Sequence, residues 1–431
     1  MERKIYNDLL IWKNSLDRKP LILQGARQVG KTYIVNLFGK NEYANVIYCN
    51  FEQEKDLKDF FTDLNPRNIL SRLSNYKRKE ILPGHTLIIF DEIQSCPEAL
   101  TSLKYFCEEA NEFHLIALGS LLGVSVNRGN SSFPVGNVQF LNMYAMDFEE
   151  FLLANDCKYL IEKIKYCYET NTPIEKPFHE QALELYKKYL YVGGMPDVVD
   201  EFLKTQNYDI IKVKQTDIIN SYFNDMGKYN KQSEIPKTRL VYKNISTQLA
   251  KENRKFKYAD IKTGGRANEF ASAIEWLCLS GIANQLYRIE QVKLPLEAYK
   301  SLSDFKFFMN DVGLCSASQN ILIDDILFDN PEFNDFKGGL TENYVNNQLI
   351  VNNLNSYYWT SKNQAEIDFV TRINKSIVPI EAKSSDNTKS KSLNEYISKF
   401  HPEYAIRISS KNFGYENNIK SVPLYAVFCI K

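Results

Sequence analysis

The sequence predicts an α/β multidomain protein whose first part is built on a parallel sheet. Three observations carry that expectation. The apolar run Leu21-Ile22-Leu23 passes through Gly25-Ala26-Arg27-Gln28-Val29-Gly30-Lys31-Thr32 into a stretch with one apolar face, formed by Tyr33, Ile34, Val35, Leu37 and Phe38. A second run, Leu87-Ile88-Ile89-Phe90, stops at the paired carboxylates Asp91-Glu92. Further apolar runs at 45–51 and 113–118 read as companion strands.

The order strand, glycine loop, helix is the context that a phosphate-binding loop needs. Gly25 and Gly30 let backbone N–H groups turn inward, and the helix that follows aims its positive end at bound phosphates. Residues 25–32 therefore form the expected cradle for ATP: Gly25, Ala26, Arg27, Gln28, Val29 and Gly30 through the backbone, Lys31 on the outer phosphates, and the Thr32 hydroxyl on Mg²⁺. Asp91 and Glu92 lie at the C-terminal edge of a buried strand, where open α/β sheets bind ligands. Asp91 is the second expected Mg²⁺ residue, and Glu92 the carboxylate that orients the attacking water. Ser120, just after the run at 113–118, is placed to touch the outer phosphate or the water. Asn50, ending the run at 45–51, is placed to hydrogen-bond Glu92 and hold it until a ligand arrives.

From residue 148 to about residue 230 the apolar positions recur at helical spacing, which suits a helical lid over a nucleotide site and a long connecting helix. Gly193-Gly194-Met195-Pro196 interrupts them, as a hinge or as a helix stop followed by a helix start. Helices are expected at 238–252, 258–262 and 268–280, then a strand pair near 285–289 and 293; three helices and a wing make a winged helix. Between residues 228 and 266 eleven lysines and arginines face three acids, a local net charge of 11 − 3 = +8. That asymmetry suits phosphate contacts to double-stranded DNA, and equally a basic face that pairs with acids elsewhere in the protein.

The last part begins with a helix at 339–354 that carries Glu342, followed by strands at 357–359, 365–371 and 377–382 with a turn at 374–375. Glu366 and Asp368 alternate onto one face of their strand, and Glu381 and Lys383 onto one face of the next. Two adjacent strands could so gather carboxylates, which suit a hard cation, beside one ammonium.

The composition is that of a folded protein, 44% hydrophobic and 25% charged over 431 residues. Lysine plus arginine (53) equals aspartate plus glutamate (53), which excludes a chain that coats nucleic acid or membrane by bulk charge. The eight cysteines form no C-x-x-C pair and the four histidines no metal spacing, as expected of a reduced, cytoplasmic protein. Neither a signal peptide nor a run of about 20 apolar residues is evident, so no membrane is expected as a partner.

The strings GARQVGKT (25–32), LIIFDEIQ (87–94), LGSLLGV (118–124), SFPVGNVQFLNMYAMDFEEFL (132–152), YVGGMPDVV (191–199), FKFFMNDVGL (305–314), AEIDFV and PIEAK make the chain resemble a known family. It is similar to bacterial and archaeal AAA+-type P-loop ATPases whose C-terminal domain of unknown function has a PD-(D/E)XK nuclease-like fold. The resemblance covers nearly the whole chain. It implies an ATPase core at 1–150, a helical lid at 151–230, a winged helix at 231–295 and a nuclease-like domain at 296–431. It also puts Glu342, Asp368, Glu381 and Lys383 at the nuclease signature positions, the three acids on a metal and the lysine catalytic. Where many members carry a basic residue, this chain has Asn137. Arg128 is then the candidate arginine finger. The function implied is ATP hydrolysis that drives or switches an action of the tail on DNA; a homo-oligomer is one candidate partner arrangement. The alternative is a nucleotide-controlled protein-binding or remodelling switch whose nuclease-like tail is inactive.

Overall fold

The apolar runs of the first part fold as one parallel sheet. The computed structural model describes residues 1–119, 134, 136–328, 330–361, 365–385 and 391–431. Its first sheet contains β1 (Leu21–Gln24), β2 (Asn45–Asn50), β3 (Thr86–Asp91), β4 (His114–Gly119) and β5 (Gln139–Asn142), in the spatial order β2-β3-β4-β1-β5. Every neighbouring pair is parallel. Residues of β3 and β4 are buried throughout, which explains continuous apolar runs in place of alternation. Parallel neighbours need crossovers. These contain α2 (Lys31–Glu42), α3 (Pro66–Lys77) and α4 (Pro97–Glu109), with α1 (Ile5–Asn14) preceding β1. Phe51, Phe61, Phe90 and Phe106 pack edge to face inside this layer.

Four of these strands match the expected runs to within a residue at each end. β5 was not expected. It has four residues, alternates between half-buried and exposed positions, and pairs on one side only, with β1. Short edge strands of that kind leave little apolar signal.

Contacts divide the chain into two compact units. One comprises Glu2–Tyr144 with Leu279–Gly281; the other comprises Met1, Ala145–Cys278 and Ile282–Lys431. The expected regions 151–230, 231–295 and 296–431 thus all fall in the second unit, apart from residues 279–281.

The second unit starts with helices α5 (Phe148–Ala154), α6 (Lys158–Thr170), α7 (Lys176–Val192), α8 (Pro196–Thr205) and α9 (Tyr208–Tyr229). Asp147 opens α5 with a capping box: its carboxylate accepts from the Glu150 N–H at 2.8 Å. Gly193-Gly194-Met195-Pro196 is a helix stop and start: Gly193 has φ +74° after α7, and Pro196 takes the first turn of α8. Phe148, Tyr186, Tyr189 and Tyr344 form a buried aromatic cluster that ties these helices to α15 (Asn334–Val351).

Next come α10 (Ile235–Leu249), α11 (Tyr258–Ile261) and α12 (Ala267–Leu279), at the three expected places. The strand pair that follows is β6 (Ala283–Ile289) with β7 (Lys300–Met309), antiparallel. The helices α13 (Val312–Ser318) and α14 (Ile323–Leu327) lead on to α15. The remaining strands are β8 (Ser356–Thr360), β9 (Glu366–Ile373), β10 (Ser376–Ala382), β11 (Ala405–Ser409), β12 (Gly414–Glu416) and β13 (Ile419–Pro423), with α16 (Lys391–Phe400) between β10 and β11. β6 also pairs with β8, so one eight-stranded sheet runs β12-β13-β11-β10-β9-β8-β6-β7. The boundary expected at 295/296 therefore falls between two paired strands of a single sheet.

Asp311 fastens the α7–α8 stop. Its buried carboxylate accepts from the Gly194 N–H at 2.6 Å and from the Leu314 N–H at 2.9 Å. The Gly194 carbonyl meanwhile accepts from the Met146 N–H at 2.7 Å. A Cβ at residue 194 would lie 1.9 Å from the Met146 carbonyl oxygen, so the two backbones must part to admit it. Gly194→Ala should therefore lower stability by about 2 kcal/mol or more. Urea unfolding followed at this unit's tyrosines measures it, and an unchanged midpoint would show that the approach is not tight in solution.

Candidate functional site

Residues 25–32 follow β1 and pass into the first turn of α2 at Lys31. Positive φ at Gly25 (+150°), Gln28 (+68°) and Gly30 (+95°) bends the loop. Gly25 has a second reason to lack a side chain, because a Cβ there would lie 2.0 Å from the Met143 carbonyl oxygen. Arg3 braces the loop, donating to the Val29 carbonyl at 2.9 Å and to the Tyr144 carbonyl at 2.7 Å. Lys31 is buried, and its ammonium folds back onto the loop, donating to the carbonyls of Gly25 (2.8 Å) and Ala26 (2.7 Å). Burial pulls its pKa down to about 8; Glu92 and Asp91 offset part of that effect, and Arg27 adds to it.

Asp91 ends β3 and is buried. One of its oxygens accepts from the Thr32 hydroxyl at 2.9 Å and from the Tyr48 hydroxyl at 2.6 Å. The other accepts from the Glu92 N–H at 2.9 Å. A hydroxyl and a carboxylate side by side are the hard oxygen donors that Mg²⁺ prefers. Tyr48, which the sequence reading did not single out, holds that carboxylate in place.

Glu92 has φ +51°, an unusual conformation for a residue with a side chain, and one that functional sites retain. Burial raises its pKa, reinforced by the neighbouring Asp91 carboxylate and opposed by Gln94 and Arg27. Its carboxylate accepts a hydrogen bond from the Gln94 amide. Asn50 does not take that role. Its carbonyl oxygen accepts from the N–H groups of Glu52 and Gln53 at 3.0 Å each, and its amide donates to Tyr48 at 3.3 Å. Closing the turn after β2 occupies the side chain, so Asn50 supports Asp91 through Tyr48. Ser120 and Arg128 lie outside the described residues. Asn137 donates to Glu108 at 3.1 Å.

The acids of the last part do come together, but around a cation that was not foreseen. Lys306 of β7 is 1% exposed. Its ammonium lies 2.8 Å from Glu342 of α15, 2.5 Å from Glu366 and 3.9 Å from Asp368 of β9. Arg254 pairs with the other oxygen of Glu342. Asp368 also accepts from the Ala382 N–H at 2.9 Å, while Glu381 pairs with Lys383 at 3.0 Å. Burial, then the Glu342 carboxylate, push the Asp368 pKa up to about 7. Among the described residues no group of three or more His, Cys, Asp or Glu side chains is arranged to hold a metal ion. The donors expected for a tail metal thus face an ammonium, and their arrangement does not fit the ion.

Five of the eleven cations between residues 228 and 266 form ion pairs within their own unit. Lys237 meets Glu234, Lys251 meets Asp260, Arg254 meets Glu342, Lys255 meets Asp304 and Lys262 meets Glu269. Three of those acids (Glu269, Asp304, Glu342) lie outside the sequence window in which the +8 was counted. Among the described residues no helix is long and apolar enough to cross a membrane.

Comparison with known proteins agrees with the first unit. Residues 17–152 match the family model of an AAA domain. Residues 183–323 match a domain of unknown function (DUF8612), and residues 337–427 match another (DUF4143). No curated protein matches the chain. Solved structures similar to it include a Walker-type ATPase of Pyrococcus abyssi, 15% identical with a TM-score of 0.44, covering 74% of this chain and 95% of that one. The Aeropyrum pernix ORC2 protein, in ADPNP-ADP complexes, is 12% identical with a TM-score of 0.35, covering 74% and 91%. The Aeropyrum pernix ORC1 protein in complex with DNA is 13% identical with a TM-score of 0.26, covering 76% and 91%. The AAA match at 17–152, with the glycine loop and the Thr32–Asp91 contact, supports a P-loop ATPase-like domain in the first unit.

The state of Lys31 gives the site a pH dependence. Bound phosphate would face the ammonium and raise its pKa above the value of about 8 that it has against two carbonyls. The nucleotide-bound form then keeps a proton that the free form sheds. Affinity for ATP should be level below about pH 8 and fall by up to about tenfold per unit above it. Calorimetry in buffers of different ionisation enthalpy should show proton uptake on binding in that range. An affinity that stays level to about pH 9, without proton uptake, would remove Lys31 from the phosphates.

Proposed function

We propose that this chain is a cytoplasmic, Mg²⁺-dependent ATPase whose nucleotide state switches a binding action of its second unit. The observation that carries the reading is the Thr32–Asp91 contact beside a glycine loop and a buried lysine. Loop amides, with the helix end behind them, receive the phosphates, and Lys31 leaves its carbonyls for the outer ones. Thr32 and Asp91 would hold Mg²⁺, which when bound neutralises charge on the phosphate oxygens. Glu92 accepts a hydrogen bond from the attacking water and orients it toward the γ-phosphorus. Before that, its carboxylate must leave Gln94. Eight free thiols suit a reducing compartment.

For the output, two readings stand: action on DNA by a nuclease-like tail, and binding of a protein partner by a tail that does not cut. The mixed sheet with Asp368 and Glu381 on adjacent strands, and Glu342 on a helix packed nearby, supports a nuclease-like fold for 296–431. The ion pairs of Arg254, Lys255 and Lys262, and Lys306 among the acids, favour the second reading. A fold similarity by itself establishes no activity. Homo-oligomerisation belongs to the same proposal.

Lys31→Ala should abolish tight ATP binding, since it removes the ammonium that sits on the Gly25 and Ala26 carbonyls and would turn to the outer phosphates. Glu92→Gln should keep ATP bound and slow turnover by about 100-fold or more. A Glu92→Gln protein that hydrolyses ATP at the wild-type rate would move the water-orienting role elsewhere. Affinity for duplex DNA, measured against salt, separates the outputs. The binding-switch reading expects a weak affinity whose salt slope is unchanged by Lys255→Ala with Lys262→Ala, and a steep slope lowered by about 2 through that pair of changes would favour DNA.

A further inference from the structure

The acids at the nuclease signature positions come from α15, β9 and β10, whereas the two cations that enter them come from earlier in the chain. Lys306 stands on β7 and Arg254 in the loop after α10. Sheet pairing brings β7 beside β6, and β6 beside β8, so Lys306 projects toward the face that carries Glu366 and Asp368. Its ammonium touches Glu342 and Glu366 and lies 3.9 Å from Asp368. The Tyr358 ring covers it at 5.3 Å from the ring centroid. Such a buried cation has no water to return to, and the surrounding carboxylates are its compensation.

We propose that Lys306 is a built-in cation that takes the place of a divalent metal in this acidic centre, so that the tail folds and works without one. The charge count supports this. With Asp368 ionised, as holding a cation would require, Glu342, Glu366 and Asp368 contribute −3, and Lys306 with Arg254 contributes +2. Glu381 with Lys383 adds nothing. A metal ion would have to displace an ammonium that its own chain delivers at an effectively fixed concentration, and then leave that ammonium buried without a partner. Taking Lys306 away doubles the negative charge, from −1 to −2. It also frees Asp368 and Glu366, while a buried Glu381 oxygen has no hydrogen-bond partner among the described residues. The inference is separate from the ATPase reading, because it concerns residues that touch no nucleotide.

The test uses the full chain carrying Asp91→Ala, without nucleotide, so that the ATP-site metal ligand is gone. Mn²⁺ binding is counted by electron paramagnetic resonance of the free ion. The Asp91→Ala protein should show no saturable Mn²⁺ site, and adding Asp368→Asn should change nothing. Adding Lys306→Met in place of Asp368→Asn should create one Mn²⁺ site per chain, and combining all three changes should remove it. A single Mn²⁺ bound by the Asp91→Ala protein and lost with Asp368→Asn would overturn the proposal. So would a Lys306→Met protein with native circular dichroism that binds no ion. If Lys306→Met does not fold, the first two proteins decide alone: no Mn²⁺ in either supports the built-in cation.

Discussion

The parallel register of β1, β4 and β3 is the constraint on which the nucleotide site depends. Ile116 of β4 pairs with Leu21 on one side and with Ile89 on the other. Asp91 is therefore level with Leu23, and the loop at residue 25 starts just beyond it. Crossover helices then carry each chain back to the opposite edge, so both functional segments leave the sheet at the same end. The 2.9 Å contact between Thr32 and Asp91 follows from that register, although 59 residues separate the two in sequence. A one-residue slip of β3 would turn Asp91 to the other face of the sheet and place a phenylalanine near Thr32.

Two buried lysines show how surroundings decide the chemistry of one residue type. Lys31 faces carbonyl dipoles, and burial outweighs its acidic neighbours, so its pKa falls to about 8. Lys306 is as buried, yet Glu342, Glu366 and Asp368 outweigh the desolvation and hold its pKa above the ordinary value. The first is a charge waiting for an anion that the loop does not itself contain. The second already has its anions. An empty demand for negative charge marks a binding site, and a satisfied one marks architecture.

Much of the first unit was legible because its signals are local. A glycine loop between a strand and a helix occupies eight consecutive residues, and Asp91-Glu92 directly follows four buried apolar ones. The Asn50 reading failed at the next level of detail. Strand ends place a side chain near a site without fixing its partner, and here the turn after β2 took the Asn50 carbonyl while Gln94, two residues from Glu92, took the carboxylate. β5 escaped notice because four edge residues carry almost no periodicity. In the second unit the strand expected near residue 293 lies at Lys300–Met309, while the positions of α10, α11, α12 and β6 were readable. The partners were not, because β6 and β7 join a sheet whose other strands begin about 50 residues later.

Charge counted along a window misled for the same reason. A value of +8 over residues 228–266 describes the chain, and the folded unit answers it with Glu269, Asp304 and Glu342 from outside that stretch. The converse holds for the tail, where counting Glu342, Asp368 and Glu381 as a cation site omits Lys306 because it precedes the first of them by 36 residues. The two errors compensate. The same salt bridge between Arg254 and Glu342 lowers the positive charge available to a duplex and the negative charge available to a metal.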